Sequence, residues 1–187
     1  MKGVRFIFLF RLIHCCSSFS WTLLAPRLSN VLVEITPAKL PEDLPQIQSC
    51  RKTAFQRENG TFLRSEESFI NANAAVSGRS TCVVARERLP PFSILGTADV
   101  RNGYVNNVYV IQEARGMGLA KRLMQTVESI STDVDKLSLH VETTNKPAVY
   151  LYEKCGFEAK GLYKGIQAVG EVTGAPLLMT MTKEVET

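Results

Sequence analysis

Two glycines separated by one residue stand where a predicted strand passes into a predicted helix. Gly116 and Gly118 lie between the apolar run 104–110 and a stretch of helical periodicity that begins at Leu119. A helix N-terminus exposes unpaired N–H groups and carries partial positive charge, so it attracts phosphate. Glycine lets a large anion approach the backbone and adopts dihedral angles that other residues avoid. The spacing predicts a pyrophosphate cradle, with an ordinary tight turn as the competing interpretation.

Two familiar phosphate-binding loops do not fit this turn. A P-loop requires Gly-Lys followed by Ser or Thr, and the chain contains no such sequence. The dinucleotide-binding fingerprint requires a third glycine at position 121, where the chain has Lys121. The sequence therefore excludes a nucleoside triphosphate loop and a Rossmann-type loop.

The elements around this turn are predicted from hydrophobic periodicity and from turn residues. Asn102-Gly103 between two apolar runs is a strong hairpin signal. The helix after the glycines has one apolar face, formed by Leu119, Leu123, Val127 and Ile130. The order of strands and helices indicates one mixed sheet with helices packed on it. The predicted strands cover 31–35, 81–85, 93–100, 104–110, 137–142, 157–159 and 177–181, and the predicted helices cover 41–55, 66–75, 119–130 and 145–154.

Two motifs resemble those of a known superfamily. Residues 115–120, Arg-Gly-Met-Gly-Leu-Ala, resemble the Arg/Gln-x-x-Gly-x-Gly/Ala pyrophosphate signature of the GNAT superfamily of N-acetyltransferases. Residues 108–110, Val-Tyr-Val, resemble that family's fourth strand. Residues 145–157 are similar to its second motif, Asn-x-x-Ala-x-x-x-Tyr-x-x-x-Gly-Phe. The resemblance covers 31–185 in element order and 104–157 in motif detail.

The resemblance implies acetyl-CoA as the acetyl donor and no metal ion. In the family, backbone groups of the fourth strand pair with the amide-bearing pantetheine arm as an added strand would. The N–H groups after the glycines hold the pyrophosphate, and strands four and five splay apart to admit the thioester. The implied cofactor-binding residues are Val108, Tyr109, Val110, Arg115, Gly116, Met117, Gly118, Leu119, Ala120, Lys121 and Asn145.

The same resemblance implies that Tyr152 is the general acid for the departing CoA thiolate. A phenol with an ordinary pKa of about 10 is protonated at neutral pH and so starts with a proton to donate. Aromatic packing in the core is the competing interpretation, because Tyr152 lies four residues before Gly156 on a predicted helix.

A general base is needed because an ammonium group with a pKa near 10.4 is almost entirely protonated at neutral pH. His140 and Glu142 share one side of their predicted strand, opposite Leu139 and Val141. His140 lies five residues before Asn145, where some N-terminal acetyltransferases of this superfamily place a glutamate base. Both side chains are candidate bases. The alternatives are a half-exposed strand residue with no catalytic role and an ordered water.

These motifs predict a GNAT acyl-CoA N-acyltransferase fold, an α/β architecture with a mixed, mostly antiparallel sheet flanked by helices. The predicted reaction is direct attack of a neutral amine in a ternary complex, with the Val110 N–H stabilising the oxyanion. An acetyl-CoA-binding regulatory module without turnover is the alternative from another class. Protein N-termini, protein lysines, polyamines and amino sugars are all candidate acceptors, with protein acetylation favoured by analogy. The second and third strands of the sheet and the hairpin around residues 165–175 are expected to shape the acceptor pocket, and monomer and homodimer both fit the sequence.

Charge argues against a nucleic-acid-binding protein. The 187-residue chain has 22 basic and 18 acidic residues and a formal net charge of +4. Four of the basic residues precede the first acid, Glu34, so the remaining 18 basic residues balance the 18 acidic ones. The positive charge therefore belongs to the N-terminus and not to a binding surface of the domain. We predict a single domain over 31–187 after a leader over 1–30.

The leader has the composition of a targeting segment. It is basic, acid-free and serine-containing, and its apolar run 6–13 is interrupted by Arg11. That run is far shorter than the roughly 20 residues needed to span a bilayer, so no membrane span is predicted. An organellar transit peptide is favoured, with a plastid preferred to a mitochondrion because a segment beginning at Phe19 resembles the second part of a two-part plastid leader. A secretory signal and an unprocessed cytoplasmic N-terminus are the alternatives.

The remaining cysteines and tyrosines indicate structure and not chemistry. Two of the five cysteines fall in the leader, and Cys50, Cys82 and Cys155 are widely separated. Neither a disulfide framework nor a zinc site is indicated by this spacing. Tyr104 and Tyr109 lie on one predicted strand and are interpreted as packing residues.

Overall fold

The computed structural model of the protein describes residues 32–55, 80–162 and 177–185. The predicted leader, the predicted helix 66–75 and the segment 165–175 lie outside these ranges. Strands β1 to β7 are Val33–Pro37, Thr81–Glu87, Ile94–Arg101, Tyr104–Val110, Lys136–Glu142, Glu158–Leu162 and Leu178–Glu184. Helices α1 to α3 are Leu44–Phe55, Leu119–Ser129 and Lys146–Lys154, and a short 3₁₀ helix covers Gln112–Ala114.

The strands form one sheet in the order β1-β2-β3-β4-β5-β7-β6. Every neighbouring pair is antiparallel except β4 and β5, which run parallel. Side chains of β2 point alternately into two hydrophobic cores on opposite faces of the sheet. Val83 and Ala85 face the larger core with α2, whereas Val84 faces a smaller core with Ile47 of α1. This mixed, mostly antiparallel sheet with helices on both faces confirms the predicted fold class.

The turn between β3 and β4 brings β4 beside β5. Asn102 and Gly103 have positive φ values of 48° and 74°, the geometry of the two-residue hairpin turn that an Asn-Gly pair predicts. A Cβ on Gly103 would collide with the carbonyl oxygen of Lys136, so only glycine fits. The Gly103 carbonyl oxygen accepts a hydrogen bond from the Ser138 N–H at 2.8 Å. The turn therefore fixes the point at which β4 and β5 meet.

Helix α2 buries most of the predicted apolar face. Leu119, Leu123 and Val127 are all fully buried in the larger core. The prediction is wrong for Ile130, which lies just past the end of the helix at Ser129 and is 36% exposed. The three buried residues hold the N-terminus of α2, and with it the glycine turn, against the sheet.

Helix α1 begins three residues later than predicted. The Asp43 carboxylate accepts a hydrogen bond from the Lys39 N–H at 2.6 Å and one from the Arg86 guanidinium at 2.5 Å. These bonds hold residues 41–43 as a turn that precedes the helix. The Pro41 start is therefore wrong, although the helix itself and its buried Ile47 are confirmed.

The described cysteines have the properties of structural thiols. Cys50, Cys82 and Cys155 form no disulfide. Burial raises the pKa of Cys50 to about 11 and also raises the pKa of Cys82 and of Cys155. A thiol with a raised pKa has little thiolate at neutral pH and is a poor nucleophile. Among the helices that the structure describes, none is long and apolar enough to cross a membrane.

Candidate functional site

Strands β4 and β5 meet at one end and diverge toward the other. Their parallel pairing contains a single residue pair, Tyr104 with Ser138. On its other edge, β5 pairs with β7 from Lys136 to Glu142. A wedge therefore opens beside the second half of β4, and the family resemblance implies a splay at this place.

The peptide groups of Val108 and Val110 face this wedge. The Ile111 N–H donates to the Leu95 carbonyl oxygen on β3 at 2.9 Å. The N–H and C=O of one strand residue point to one edge and those of the next residue point to the other edge, so those of Val110 and Val108 point away from β3. In agreement, the Val110 carbonyl oxygen accepts its hydrogen bond from Arg115 Nε, at 3.2 Å. The edge of β4 thus offers backbone groups to a ligand in extended form.

The glycine turn opens onto the same wedge. Gly116 and Gly118 have φ values of 79° and 75°, the left-handed conformation that glycine adopts without strain. Among the described residues, no heavy atom lies within 4 Å of the position a Cβ would take at either glycine. Gly118 is the N-cap of α2, where the structure shows no side-chain cap. The first N–H groups of α2 are therefore available to an anion.

A cavity of about 610 Å³ lies between the β4 edge, the glycine turn and α3. This volume is within the range of small-molecule sites. Of the predicted cofactor-binding residues, only Met117 is not among those that line it, and Met117 packs against the larger core. The predicted residues that line the cavity are Val108, Tyr109, Val110, Arg115, Gly116, Gly118, Leu119, Ala120, Lys121 and Asn145, together with Tyr152.

Four lining residues were missed from the sequence: Ala114, Pro147, Ala148 and Leu151. Pro147, Ala148 and Leu151 belong to α3 and share a helical face with Tyr152. Residues three and four apart lie on the same side of a helix. The spacing from Tyr152 could therefore have identified Ala148, which belongs to the second motif.

Arg115 connects the glycine turn to the end of β4 through two side-chain contacts. In addition to its bond to the Val110 carbonyl oxygen, its guanidinium carbon lies 5.8 Å from the centroid of the Tyr109 ring, within cation–π range. Tyr109 therefore does more than pack, because its ring supports the arginine and lines the cavity. Burial raises the pKa of Tyr109, so its hydroxyl is protonated at neutral pH.

Asn145 is the N-cap of α3. Its Oδ1 accepts a hydrogen bond from the Ala148 N–H at 3.2 Å, as asparagine commonly does at this position. Pro147 in the first turn also favours a helix start. The capping bond uses the side-chain oxygen and not the Nδ2 amide, and Asn145 also lines the cavity.

Tyr152 lies on α3 and is one of the residues that line the cavity. Its side chain is 8% exposed, and its ring centroid lies 6.0 Å from that of Phe157. Burial raises the pKa of Tyr152 to about 12, with smaller contributions from Cys155 and Tyr104. The residue therefore both packs in the core and lines the cavity.

His140 and Glu142 do not line the cavity. Both are half-buried and lie on the face of β5 opposite the buried Leu139 and Val141, as predicted. His140 Nδ1 is 3.0 Å from the Tyr104 hydroxyl, and the two rings are tilted with centroids 5.3 Å apart. Tyr104 is therefore more than a packing residue, and only the β4–β5 pairing reveals its partner.

No metal centre is found in the part of the chain that the structure describes. Within 32–55, 80–162 and 177–185, no three His, Cys, Asp or Glu side chains are grouped so that they could hold a metal ion.

Comparison with known proteins assigns the family. The model of the acetyltransferase (GNAT) family matches residues 36–157, which include the diverging strands, the glycine turn and α3. The chain belongs to the acetyltransferase (GNAT) family. This membership confirms the family that the two motifs predict.

Curated relatives of this GNAT protein include N-terminal acetyltransferases. It is 33% identical over 96 residues to the catalytic subunit NAA20 of the N-terminal acetyltransferase B complex of Arabidopsis thaliana, covering 49% of this chain and 53% of that protein. It is 36% identical over 75 residues to an N-alpha-acetyltransferase of Saccharolobus solfataricus, covering 38% of this chain and 45% of that protein. The chain spans about half the length of these relatives.

Solved GNAT structures share the fold. A GNAT acetyltransferase from Staphylococcus aureus Mu50 matches with a TM-score of 0.64 at 11% identity, covering 82% of this chain and 99% of that chain. The spermidine N-acetyltransferase of Vibrio cholerae, solved with CoA and spermine, matches with a TM-score of 0.59 at 17% identity, covering 83% and 97%. At these identities the similarity shows the fold alone.

Proposed function

We propose that this GNAT protein transfers the acetyl group of acetyl-CoA to an amine by direct attack in a ternary complex. The observation that carries the proposal is that three separate segments converge on one cavity: the β4 edge, the glycine turn and α3 with Tyr152. Each segment offers a group that a CoA thioester needs. Peptide groups can pair with its amide arm, N–H groups can hold its phosphates, and a phenol can approach its sulfur.

Two parts of the cavity match the chemical groups of CoA. The first turn of α2 would hold the pyrophosphate through its N–H groups, and the open space before the two glycines leaves room for it. The outward N–H and C=O of Val108 would pair with a pantetheine amide as an added strand does, whereas the Val110 carbonyl oxygen already accepts from Arg115. Bound acetyl-CoA supplies an activated acetyl thioester. The other groups in the reaction come from the protein and the acceptor.

The protein must stabilise the oxyanion, remove a proton from the amine and stabilise the departing thiolate. As the C–N bond forms and the C–S bond breaks, the carbonyl oxygen becomes negative, the amine loses one proton, and the sulfur leaves as a thiolate. The Val110 N–H is the proposed donor to the oxyanion, and a donor of this kind contributes about 2.7–4 kcal/mol to transition-state stabilisation. A base and a thiolate-stabilising donor must supply the rest.

Tyr152 is the proposed donor to the thiolate. With a pKa of about 12, its phenol is protonated at every physiological pH, as the sequence predicts. The same raised pKa makes it a weaker acid than an ordinary tyrosine, whereas thiols ionise near a pKa of about 8.5. Tyr152 would therefore act mainly by donating a hydrogen bond to the thiolate, which does not require complete proton transfer.

His140 is the proposed base, with Tyr104 as its partner. His140 lies on the sheet face opposite α2 and α3, so acceptor and donor would approach the wedge from opposite faces. The Tyr104 hydroxyl orients the imidazole through its contact with Nδ1. Tyr104 also lies close enough to Tyr152 to affect the pKa of that residue. The imidazole would take the proton of the amine directly or through a water.

Replacing His140 with alanine is expected to lower kcat about 100-fold at pH 7. The deficit is expected to shrink as the pH rises, because the acceptor amine then loses its own proton. Glu142→Gln on the same strand face is the matched control, and we expect it to keep most of the activity. Steady-state CoA release at pH 6.5 to 9.5 measures both variants. A large loss in Glu142→Gln with an active His140→Ala would assign the base to Glu142.

Two substitutions at Asn145 separate helix capping from cofactor binding. Aspartate keeps a capping oxygen, so Asn145→Asp is expected to be nearly as stable as the wild type, whereas Asn145→Ala costs about 1 kcal/mol in the free energy of unfolding. Both lack the amide donor, and we expect both to bind acetyl-CoA several-fold more weakly. Denaturant unfolding and isothermal titration measure the two effects. Wild-type affinity in both variants would limit Asn145 to capping.

Protein N-termini are the acceptors we favour, because the curated relatives are N-terminal acetyltransferases. An α-amino group has a pKa of about 7.7–8.0 and is partly neutral at physiological pH, so it needs less help from a base than lysine does. Profiling of N-terminal and lysine acetylation in a bacterial host that expresses the protein tests this choice. Acetylation of polyamines with no change in proteins would contradict it, and binding of acetyl-CoA without any product would favour a regulatory module.

We also propose that residues 1–30 direct the protein to an organelle, with a plastid as the first candidate. Support comes from the basic, acid-free and serine-containing composition of the segment. Fusion of residues 1–30 to a fluorescent protein tests the proposal. Fluorescence confined to the cytosol or to the secretory pathway would contradict it.

A further inference from the structure

A buried polar network lies beside the part of β4 that borders the cavity. Arg51 on α1 is 1% exposed, and its Nη2 is 2.5 Å from Asp99 Oδ1 on β3. The other carboxylate oxygen of Asp99 accepts a hydrogen bond from Asn107 Nδ2 at 2.8 Å. The Thr97 hydroxyl donates to the Asn107 carbonyl oxygen at 2.9 Å and lies 3.5 Å from Arg51 Nε. The network joins α1, β3 and β4.

Asn107 is the residue that these bonds hold in place. Its φ is 49°, in the left-handed region that asparagine adopts more readily than most residues but less readily than glycine. The strand register changes at the same point, because Thr97 pairs with Tyr109 whereas Asp99 pairs with Asn106. Two residues of β4 therefore face one residue of β3, which is a β-bulge.

The bulge decides which peptide groups of β4 face the cavity. The N–H and C=O of successive residues point alternately to the two edges of a strand, so a change of one residue in register exchanges the edges that they face. Without the bulge, the backbone N–H and C=O of Val108 and Val110 would point toward β3. Those of Tyr109 would then face the wedge. The side chain of Tyr109 would also change faces and leave Arg115.

We propose that Arg51, Thr97, Asp99 and Asn107 are positioning residues for acetyl-CoA because they fix this bulge. The inference rests on the proposed function, in which the β4 edge binds the amide arm of acetyl-CoA. None of the four side chains is among the described residues that line the cavity, so they act through Val108 and Val110. The charges of Arg51 and Asp99 neutralise each other. The hydrogen bonds of Thr97 and Asn107 then hold the backbone of β4 in the bulged conformation.

Two substitutions of Thr97 test the network. Valine nearly matches threonine in shape but cannot donate to Asn107, whereas serine keeps the hydroxyl. We expect the Kd for acetyl-CoA to rise about tenfold in Thr97→Val and to stay within about twofold in Thr97→Ser. The KM for the acceptor is expected to be unchanged in both. In the protein without acetyl-CoA, exchange of the Ile111 N–H, which pairs with Leu95 at the end of the β3–β4 pairing that follows the bulge, is expected to accelerate only in Thr97→Val.

Asn107→Gly is the second variant, and it decides the question if Thr97→Val does not fold. Glycine adopts the positive φ without strain but cannot bond to Asp99, so the Kd for acetyl-CoA is expected to rise about fivefold. Wild-type affinity in Asn107→Gly, or wild-type affinity and exchange in a folded Thr97→Val, would overturn the inference. A wild-type protein that does not bind acetyl-CoA would overturn the proposed function instead, and the exchange rates would then decide whether the network holds the bulge.

Discussion

Replacement of Tyr152 with phenylalanine is expected to lower kcat about 100- to 1000-fold while the Kd for acetyl-CoA stays within about threefold. The ring keeps its packing against Phe157 and its place in the larger core, so only the hydroxyl is lost. That hydroxyl would act on the thiolate, which exists as the reaction proceeds and not in the bound ground state. An interaction made only in the transition state lowers turnover and leaves affinity nearly unchanged.

Tyr150→Phe is the matched control for this substitution. Tyr150 lies on the same helix but is 61% exposed, so loss of its hydroxyl is expected to leave kcat unchanged. Steady-state rates of CoA release and isothermal titration with acetyl-CoA measure both variants. A Tyr152→Phe enzyme with the wild-type rate would remove Tyr152 from the mechanism and leave it a packing residue.

The pH profile provides a further check on Tyr152. Because burial raises the pKa of this phenol to about 12, it stays protonated below that pH and loses its proton only above it. The wild-type rate is therefore expected to show no decline from Tyr152 ionisation between pH 7 and pH 10. A decline in kcat with an apparent pKa well below 10 that disappears in Tyr152→Phe would contradict the raised pKa.

Replacement of Gly118 with aspartate is expected to weaken acetyl-CoA binding on the order of 100-fold. The space in front of Gly118 is open in the structure, and a carboxylate there would share it with the pyrophosphate. Two like charges about 5 Å apart repel by about 3 kcal/mol at the effective dielectric constant of a protein surface, which corresponds to that change in Kd. The fold should survive, because an acid at a helix N-terminus is favourable and aspartate tolerates a positive φ better than most residues.

Gly118→Asn separates charge from shape. Asparagine has nearly the same shape as aspartate and also tolerates the left-handed conformation, so we expect its effect on the Kd to be about tenfold smaller. The difference between the two variants is expected to shrink at high ionic strength, where exposed charges are screened. Isothermal titration at two salt concentrations measures it. Equal affinities in Gly118→Asp and Gly118→Asn would show that no phosphate lies near the start of α2.

The features that sequence predicts well in this protein are local ones. The Asn102-Gly103 turn, the glycine turn and the buried face of α2 each depend on residues that are close together in the chain. Positive φ values at Gly116 and Gly118 follow from residue type, because few other residues adopt them readily. The second family motif also predicts Asn145 and Tyr152, which line the same cavity as the glycines. Both residues are distant from the glycines in sequence, and only the fold places them together.

The features that sequence does not predict depend on pairing between distant segments. His140 meets Tyr104 because β5 lies parallel to β4 in one particular register, and no local pattern specifies that register. The bulge at Asn107 depends on a carboxylate from β3 and a guanidinium from α1. The start of α1 is predicted wrongly for a related reason, because a hydrogen bond between Asp43 and the distant Arg86 holds the turn before the helix.

The central claim is that this protein uses the cavity at the β4–β5 wedge to transfer acetyl groups from acetyl-CoA to amines. The most direct test incubates the purified protein with acetyl-CoA and a library of peptides with free N-termini, and follows CoA release together with peptide mass. We predict one CoA released for each acetyl group gained on a peptide amine, with both signals reduced together in Tyr152→Phe. Tight binding of acetyl-CoA with neither CoA release nor an acetylated peptide, lysine or polyamine would contradict the claim.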